Sequence, residues 1–130
     1  STKGINRVDV RDIAVSAVNS IADGKHAGKS YPLVGPDALT GDETAEIYSS
    51  ALGRAVRYVG ADLEGWEKST RTMMPDWLVD DLKIMYDHFL EHGLAAPVED
   101  VEACSVVLGR APRRFTDWVG EVAPAWRAAG

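Results

Sequence analysis

Cysteine is scarce in this sequence, which contains one, Cys104, among 130 residues. A single thiol cannot form an intramolecular disulfide, so a disulfide-stabilised secreted domain is excluded and a reducing, cytoplasmic setting is favoured. Cys104 lies among aliphatic residues, and no histidine is near it in the sequence. We therefore predict a buried, unreactive thiol and not a nucleophile.

Long apolar runs and an excess of positive charge are also absent. No segment is apolar for about 18 residues, and none has the pattern of a signal peptide. Acidic residues outnumber basic ones by 20 to 14, which gives a net charge of −6. We therefore expect neither a membrane nor a nucleic acid as a partner. With 45 % hydrophobic residues, the chain is long enough for one domain with its own core.

The first 36 residues have the pattern of a strand, a helix and a second strand. Alternating apolar residues predict a short strand at 5–10, and a narrow stripe of small apolar residues predicts a helix over 10–22 that packs against a sheet. A second strand is predicted at 29–34, where Pro32 restricts it to the edge or end of a sheet. A unit of this length predicts a right-handed crossover and parallel strands.

Residues 37–130 are predicted to be mostly helical. Thr40 and Glu43 have the spacing of a capping box, and Pro75 suits the start of the longest helix. The predicted helices are 40–52, 62–71, 75–92, 98–108 and 115–126, with one further strand at 55–59. No linker divides the chain. We therefore predict one compact α/β unit over residues 1–130, in which 1–36 form a short parallel β-α-β piece and 37–130 form a helical lobe.

A turn at 109–112 organises the end of the chain. Gly109 suits the left-handed conformation that ends a helix, and Pro112 prevents continuation. Phe115 and Trp118 then begin an apolar face at helical spacing, which docks the last helix onto the body of the protein. The basic residues in and directly after the turn are Arg110, Arg113 and Arg114. They suit either a phosphate or ion pairs with carboxylates, and in an acidic chain we favour ion pairs.

Several short motifs occur in a familiar order. They are VDVRDIA at 8–14, GKSYPL at 28–33 with ALT at 38–40, LGRAVRYV at 52–59 and GRAPRRF at 109–115. This order resembles the C-terminal part of NmrA-like proteins, the atypical short-chain dehydrogenase/reductase group, over nearly the whole chain. A complete member of that family has an N-terminal Rossmann domain that binds NAD(P) and a small C-terminal lobe that shapes the substrate pocket. Its members include quinone and azo-compound reductases, isoflavone-type reductases and redox-sensing regulators.

The resemblance also implies what this chain does not carry. The family's Gly-rich turn, which brings backbone N–H groups to a pyrophosphate, has no counterpart in residues 1–130. We assign no catalytic, cofactor-binding or metal-binding residue, and NAD(P) is expected only in complete members. An excised piece, a proteolytic remnant and a naturally short product are all compatible with this pattern. Because the sheet that would cover residues 1–36 is missing, we expect a homo-oligomer, such as a dimer, formed through these residues.

Methionine and aromatic residues cluster around the loop before the longest helix. The members of this cluster are Trp66, Met73, Met74, Trp77 and Tyr86. Such side chains suit an adaptable apolar pocket, and the resemblance places the loop beside the substrate cleft. We predict a pocket for a small apolar ligand or an interface here, with ordinary core packing as the alternative.

Histidines are the remaining candidate ligands. His88 and His92 are one helical turn apart, but no third metal ligand is evident, so no metal site is predicted. His26 lies in a turn and is predicted to be exposed.

Two functions follow from these observations. The first is the substrate-binding portion of an NmrA-like NAD(P)-dependent oxidoreductase that is not catalytic by itself. The second is a free-standing small-molecule-binding or regulatory module derived from that family. An enzyme with an unrelated site would need a catalytic constellation, and the sequence contains none that we recognise.

Overall fold

The computed structural model describes residues 3–129, and within that range it has an α/β fold with a predominantly helical lobe. In chain order the elements are β1 (Ile5–Asn6), α1 (Val10–Ala22), a 3-10 helix (Gly24–His26), β2 (Ala38–Leu39), α2 (Gly41–Leu52), α3 (Leu63–Thr70), α4 (Asp76–His92), α5 (Val98–Leu108) and α6 (Phe115–Ala129). None of these helices is both long enough and apolar enough to cross a membrane.

Helix boundaries follow the local capping signals. Thr40 accepts a hydrogen bond from the backbone of Glu43, whose side chain in turn accepts from the Thr40 backbone, so the predicted capping box is confirmed. Gly53 ends α2 with φ of +67°, a conformation that favours glycine. The six helices begin within one residue of their predicted starts, and α6 continues three residues beyond its predicted end.

The sheet differs from the predicted one. β1 pairs with β2 in antiparallel register, with Ile5 opposite Leu39, and Ile5 also forms a single parallel bridge to Leu94. The predicted parallel β-α-β pairing is not confirmed, because residues 29–34 form no strand. Pro32 has no backbone N–H to donate to a neighbouring strand, and a segment that contains proline forms a strand only at the edge or end of a sheet.

The side chain of Asn6 hydrogen-bonds to the backbone of two segments that do not pair with β1 as strands. Its Nδ2 donates to the Gly35 carbonyl at 2.8 Å, and its Oδ1 accepts from the Ala96 backbone at 2.8 Å. Gly35 passes so close to β1 that a Cβ there would lie 1.9 Å from the Arg7 carbonyl oxygen. The segment before β2 is therefore held beside β1 by one amide side chain and a glycine contact.

The strand predicted at 55–59 is also wrong. Ser49 on α2 accepts from the backbone N–H of Val56 at 2.9 Å and donates to its carbonyl at 3.1 Å. The single hydroxyl hydrogen of Ser49 also has the Ala45 carbonyl as an acceptor, at 2.7 Å, so the serine fully takes only the N–H that a ladder would use. Val59 is 94 % exposed.

The core lies where α2 packs on α6 and α1 packs on α5. Its buried side chains are Ala45, Val79, Cys104, Val107, Leu108, Val119 and Ala123. Cys104 is buried, as predicted. Helix α4 contributes the buried Val79 and packs on α3.

Helix α1 turns its polar face inward. Asp12 and Ser16 are buried, and Asn19 donates to the Val107 carbonyl at 2.9 Å. The opposite face is apolar and exposed, reaching 88 % exposure at Ile21. Its exposed aliphatic members are Val10, Ile13, Val18 and Ile21, and we call this surface the α1 face. The stripe predicted to pack on a sheet is therefore uncovered in this structure.

Candidate functional site

A cleft of about 370 Å³ lies where the end of β1 and the start of α1 meet the start of α6. Its lining residues are Arg7, Val8, Asp9, Val10, Arg113, Arg114, Phe115 and Trp118. A volume of this size suits a small molecule. The sequence placed structural motifs on both segments, but it gave no signal that residues 7–10 and 113–118 would enclose one space.

One wall of the cleft is aromatic. The rings of Phe115 and Trp118 have centroids 5.7 Å apart. Behind them, Tyr48 meets Phe115 edge to face at 5.7 Å, and Trp126 contacts both Tyr48 and Trp118. Because each ring packs against another, the wall is a preorganised apolar surface against which a flat ligand can stack.

The cleft is lined by three arginines and one aspartate, although the chain as a whole is acidic. Arg113 pairs with Asp12, Arg114 pairs with Asp37 at 2.7 Å, and Asp9 pairs with Arg11 at 2.6 Å. These contacts confirm the prediction that the arginines of the final turn form ion pairs.

Arg7 differs from the other arginines of the cleft. It is half-buried, donates from Nη1 to Thr44 Oγ1 at 3.1 Å, and places Cζ 5.3 Å from the centroid of the Phe115 ring. Within residues 3–129 it has no carboxylate partner within 4.0 Å. The sequence gives no signal for Arg7, because nothing in its local pattern distinguishes it from a surface arginine.

Asp12 joins α1 to the turn that precedes α6. It is 1 % exposed, and its carboxylate accepts from Arg110 Nη2 at 2.5 Å, from the Arg113 backbone at 2.7 Å and from the Arg113 guanidinium. These bonds fix the 110–113 turn on α1. They therefore set the position of the aromatic wall that follows the turn.

Two carboxylates beside the cleft have pKa values below the ordinary range. The side-chain hydrogen bond from Arg11 lowers the pKa of Asp9 from 3.8 to about 2. Burial alone would raise the pKa of Asp12, but hydrogen bonds from Arg110 and Arg113 outweigh it and lower the net pKa. Both groups therefore stabilise the folded chain in their ionised form.

Acid is expected to destabilise the chain through these two groups. Both carboxyl groups have a lower pKa in the folded chain than the value of 3.8 in the unfolded chain. Their contribution to stability is therefore complete above pH 3.8 and is lost as the pH falls through the folded pKa, which is about 2 for Asp9. Urea midpoints measured between about pH 6 and about pH 2.5 should fall less steeply with decreasing pH in Asp12→Asn than in the unmodified chain. The exposed Asp81→Asn serves as the control, and matching pH profiles for the two variants would contradict this expectation.

The methionine and aromatic cluster predicted as a pocket or interface is only partly assembled. Trp66 and Tyr86 meet edge to face, with ring centroids 5.0 Å apart. Met73 is 76 % exposed, Trp77 is 65 % exposed, and Met74 also lies at the surface. The structure thus joins two of the five residues on the α3–α4 pair and leaves three towards solvent, so a pocket or interface there stays a prediction.

The histidines form no metal centre in the described part of the chain. His88 and His92 stack with ring centroids 4.3 Å apart, and residues 3–129 contain no group of three side chains suited to hold a metal. The predicted exposure of His26 is wrong. The 3-10 helix turns its ring inward, where it is 6 % exposed and Nδ1 lies 2.9 Å from the Tyr31 hydroxyl.

The chain is similar in sequence to known reductases. It is 36 % identical over 126 residues to an NAD(P)H azoreductase of Xenophilus azovorans, an alignment that covers 96 % of this chain and 43 % of that protein. It is 28 % identical over 119 residues to a (4-alkanoyl-5-oxo-2,5-dihydrofuran-3-yl)methyl phosphate reductase of Streptomyces griseus, covering 92 % of this chain and 41 % of that protein. The chain matches no family model.

The fold is shared with a solved structure. The triphenylmethane reductase of Citrobacter sp. superposes with a TM-score of 0.73 at 20 % identity, over 94 % of this chain and 42 % of that chain. A complex of that reductase with NADP(H) gives a TM-score of 0.72. The chain thus spans about two fifths of the length of the proteins it matches. These matches confirm the resemblance predicted from the sequence, which is to the C-terminal part of NmrA-like, atypical short-chain dehydrogenase/reductase proteins.

Proposed function

We propose that this chain is the substrate-binding portion of an NAD(P)H-dependent reductase and that it does not catalyse the reaction by itself. The observation that carries the proposal is the cleft between α1 and α6, which has an aromatic wall but no neighbouring Gly-rich turn. The sequence relative named as an azoreductase supports a ligand with conjugated rings. Phe115 and Trp118 supply the surface on which such rings would stack.

The proposal is tested by calorimetric titration with a neutral aromatic probe, 2-naphthalenemethanol, and separately with NADPH and NADH. We expect saturable binding of the probe and none of either nucleotide. Trp118→Phe should weaken probe binding several-fold, because the smaller ring loses part of the stacking surface. Saturable binding of a nucleotide would overturn the proposal.

An exposed tryptophan provides the matched control. Trp77→Phe changes the same residue type in the cluster predicted from sequence, outside the cleft. It should leave probe binding unchanged. If Trp77→Phe weakens binding and Trp118→Phe does not, the ligand site is the α3–α4 cluster.

We also propose that two copies of the chain associate through residues 1–36. The α1 face supports this, because four aliphatic side chains on one side of a helix are exposed together. The same face favours the second candidate function, a regulatory module that binds another protein. Light scattering tests the pairing, since a dimer supports self-association and a monomer leaves the α1 face available to another protein.

A further inference from the structure

We infer that the cleft binds an aromatic monoanion, such as an aryl carboxylate or sulfonate, and that Arg7 pairs with its charged group. The inference rests on the proposed function in placing the ligand in this cleft. It goes beyond that function in assigning the ligand's charge and the residue that recognises it.

The Arg7 guanidinium has donors that its neighbours do not use. A guanidinium has five N–H donors, and the side-chain hydrogen bond that Arg7 donates to Thr44 uses one of them. Partial burial of a cation without a counter-ion is unfavourable. By contrast, Arg71, which is also half-buried, pairs with Glu67, Asp76 and Asp80. Arg7 therefore has both the charge and the free donors to bind an anion.

The charges around the cleft leave one arginine over. Four carboxylates, those of Asp9, Asp12, Asp37 and Glu121, form ion pairs with four arginines, Arg11, Arg110, Arg113 and Arg114. One positive charge, that of Arg7, remains without a carboxylate partner among the lining residues. A single charge matches a monoanion better than a nucleotide with several phosphate charges, particularly in a chain whose net charge is −6.

Arg7 lies beside the rings of the aromatic wall. Its Cζ lies 5.3 Å from the Phe115 centroid, and Trp118 follows on the same wall. The anion site and the stacking surface are thus adjacent. A ligand that joins an aromatic ring directly to an acidic group satisfies both at once.

The test compares naphthalene-2-sulfonate with the uncharged naphthalene-2-sulfonamide by calorimetry. We expect the unmodified chain to bind the sulfonate at least about tenfold more tightly than the sulfonamide, as for a hydrogen-bonded charge pair. Arg7→Gln should remove this preference and leave the sulfonamide affinity unchanged. One control should keep the preference, because Arg57→Gln removes an exposed arginine outside the cleft.

Salt dependence gives a readout that needs no variant. Raising NaCl from about 50 to about 300 mM should weaken sulfonate binding and leave sulfonamide binding unchanged. If both probes bind equally and Arg7→Gln changes neither, the inference is wrong while the proposed function stands. If neither probe binds, both are wrong. If NADPH binds and Arg7→Gln abolishes that binding, the anion is a nucleotide phosphate and the inference is overturned.

Discussion

Replacing Asp12 with alanine is expected to lower the free energy of unfolding by about 3 kcal/mol. Asp12 is buried and accepts two hydrogen bonds from guanidinium groups and one from the backbone. Its removal would leave Arg110 and Arg113 without their counter-charge at the junction of α1 and the final turn. Because both arginines are partly exposed, we expect a loss near the lower end of the range for broken buried pairs.

The unfolding measurement has a matched control and a coupling test. Asp81→Ala on the exposed face of α4 should change stability by less than about 0.5 kcal/mol. Arg110→Ala should cost less in the Asp12→Ala background than in the unmodified chain, because the two residues act as a pair. A loss below about 1 kcal/mol for Asp12→Ala, or additive effects in the double variant, would show that the Asp12 bonds do not hold the turn.

The double variant Val18→Glu/Ile21→Glu is expected to convert a self-associating chain into a monomer. Both side chains are exposed on the α1 face, where two added carboxylates would meet their copies across a symmetric contact. Since Ile21 is 88 % exposed, the folded chain itself should lose little stability. Size-exclusion chromatography with light scattering should show at least a tenfold weaker dimer, roughly 1.4 kcal/mol.

Val59→Glu is the control for this surface. Val59 is also highly exposed, but it lies outside residues 1–36. Its substitution should leave the dimer intact. A monomeric unmodified chain at high concentration would contradict association through residues 1–36, and loss of the dimer in Val59→Glu alone would move the interface to another surface.

Helices and their ends were predictable from the sequence because their signals are local. The capping box of Thr40 and Glu43 acts over three residues, and Gly53 and Gly109 both adopt the left-handed conformation that ends a helix. The ion pairs of the final turn were also predictable in kind, since the chain is rich in carboxylates.

The strands were less predictable because their partners are distant. The strand predicted at 5–10 forms only at Ile5–Asn6, where it pairs with Ala38–Leu39 and bridges to Leu94. At residues 55–59 a serine on the preceding helix takes the N–H that a ladder would use. β-Pairing depends on which segments the tertiary fold places side by side, and the alternation of apolar and polar residues within one segment does not specify its partner.

The sequence by itself determined the helical lobe, the buried thiol and the family resemblance, because each depends on neighbours a few positions away or on short motifs in order. Only the tertiary structure decided that α1 turns its polar face inward, and that Arg7 reaches the rings at the start of α6. Both outcomes arise from contacts across about a hundred residues, chiefly those of Asp12 with Arg110 and Arg113, and such long-range pairing is set by packing and not by local propensity.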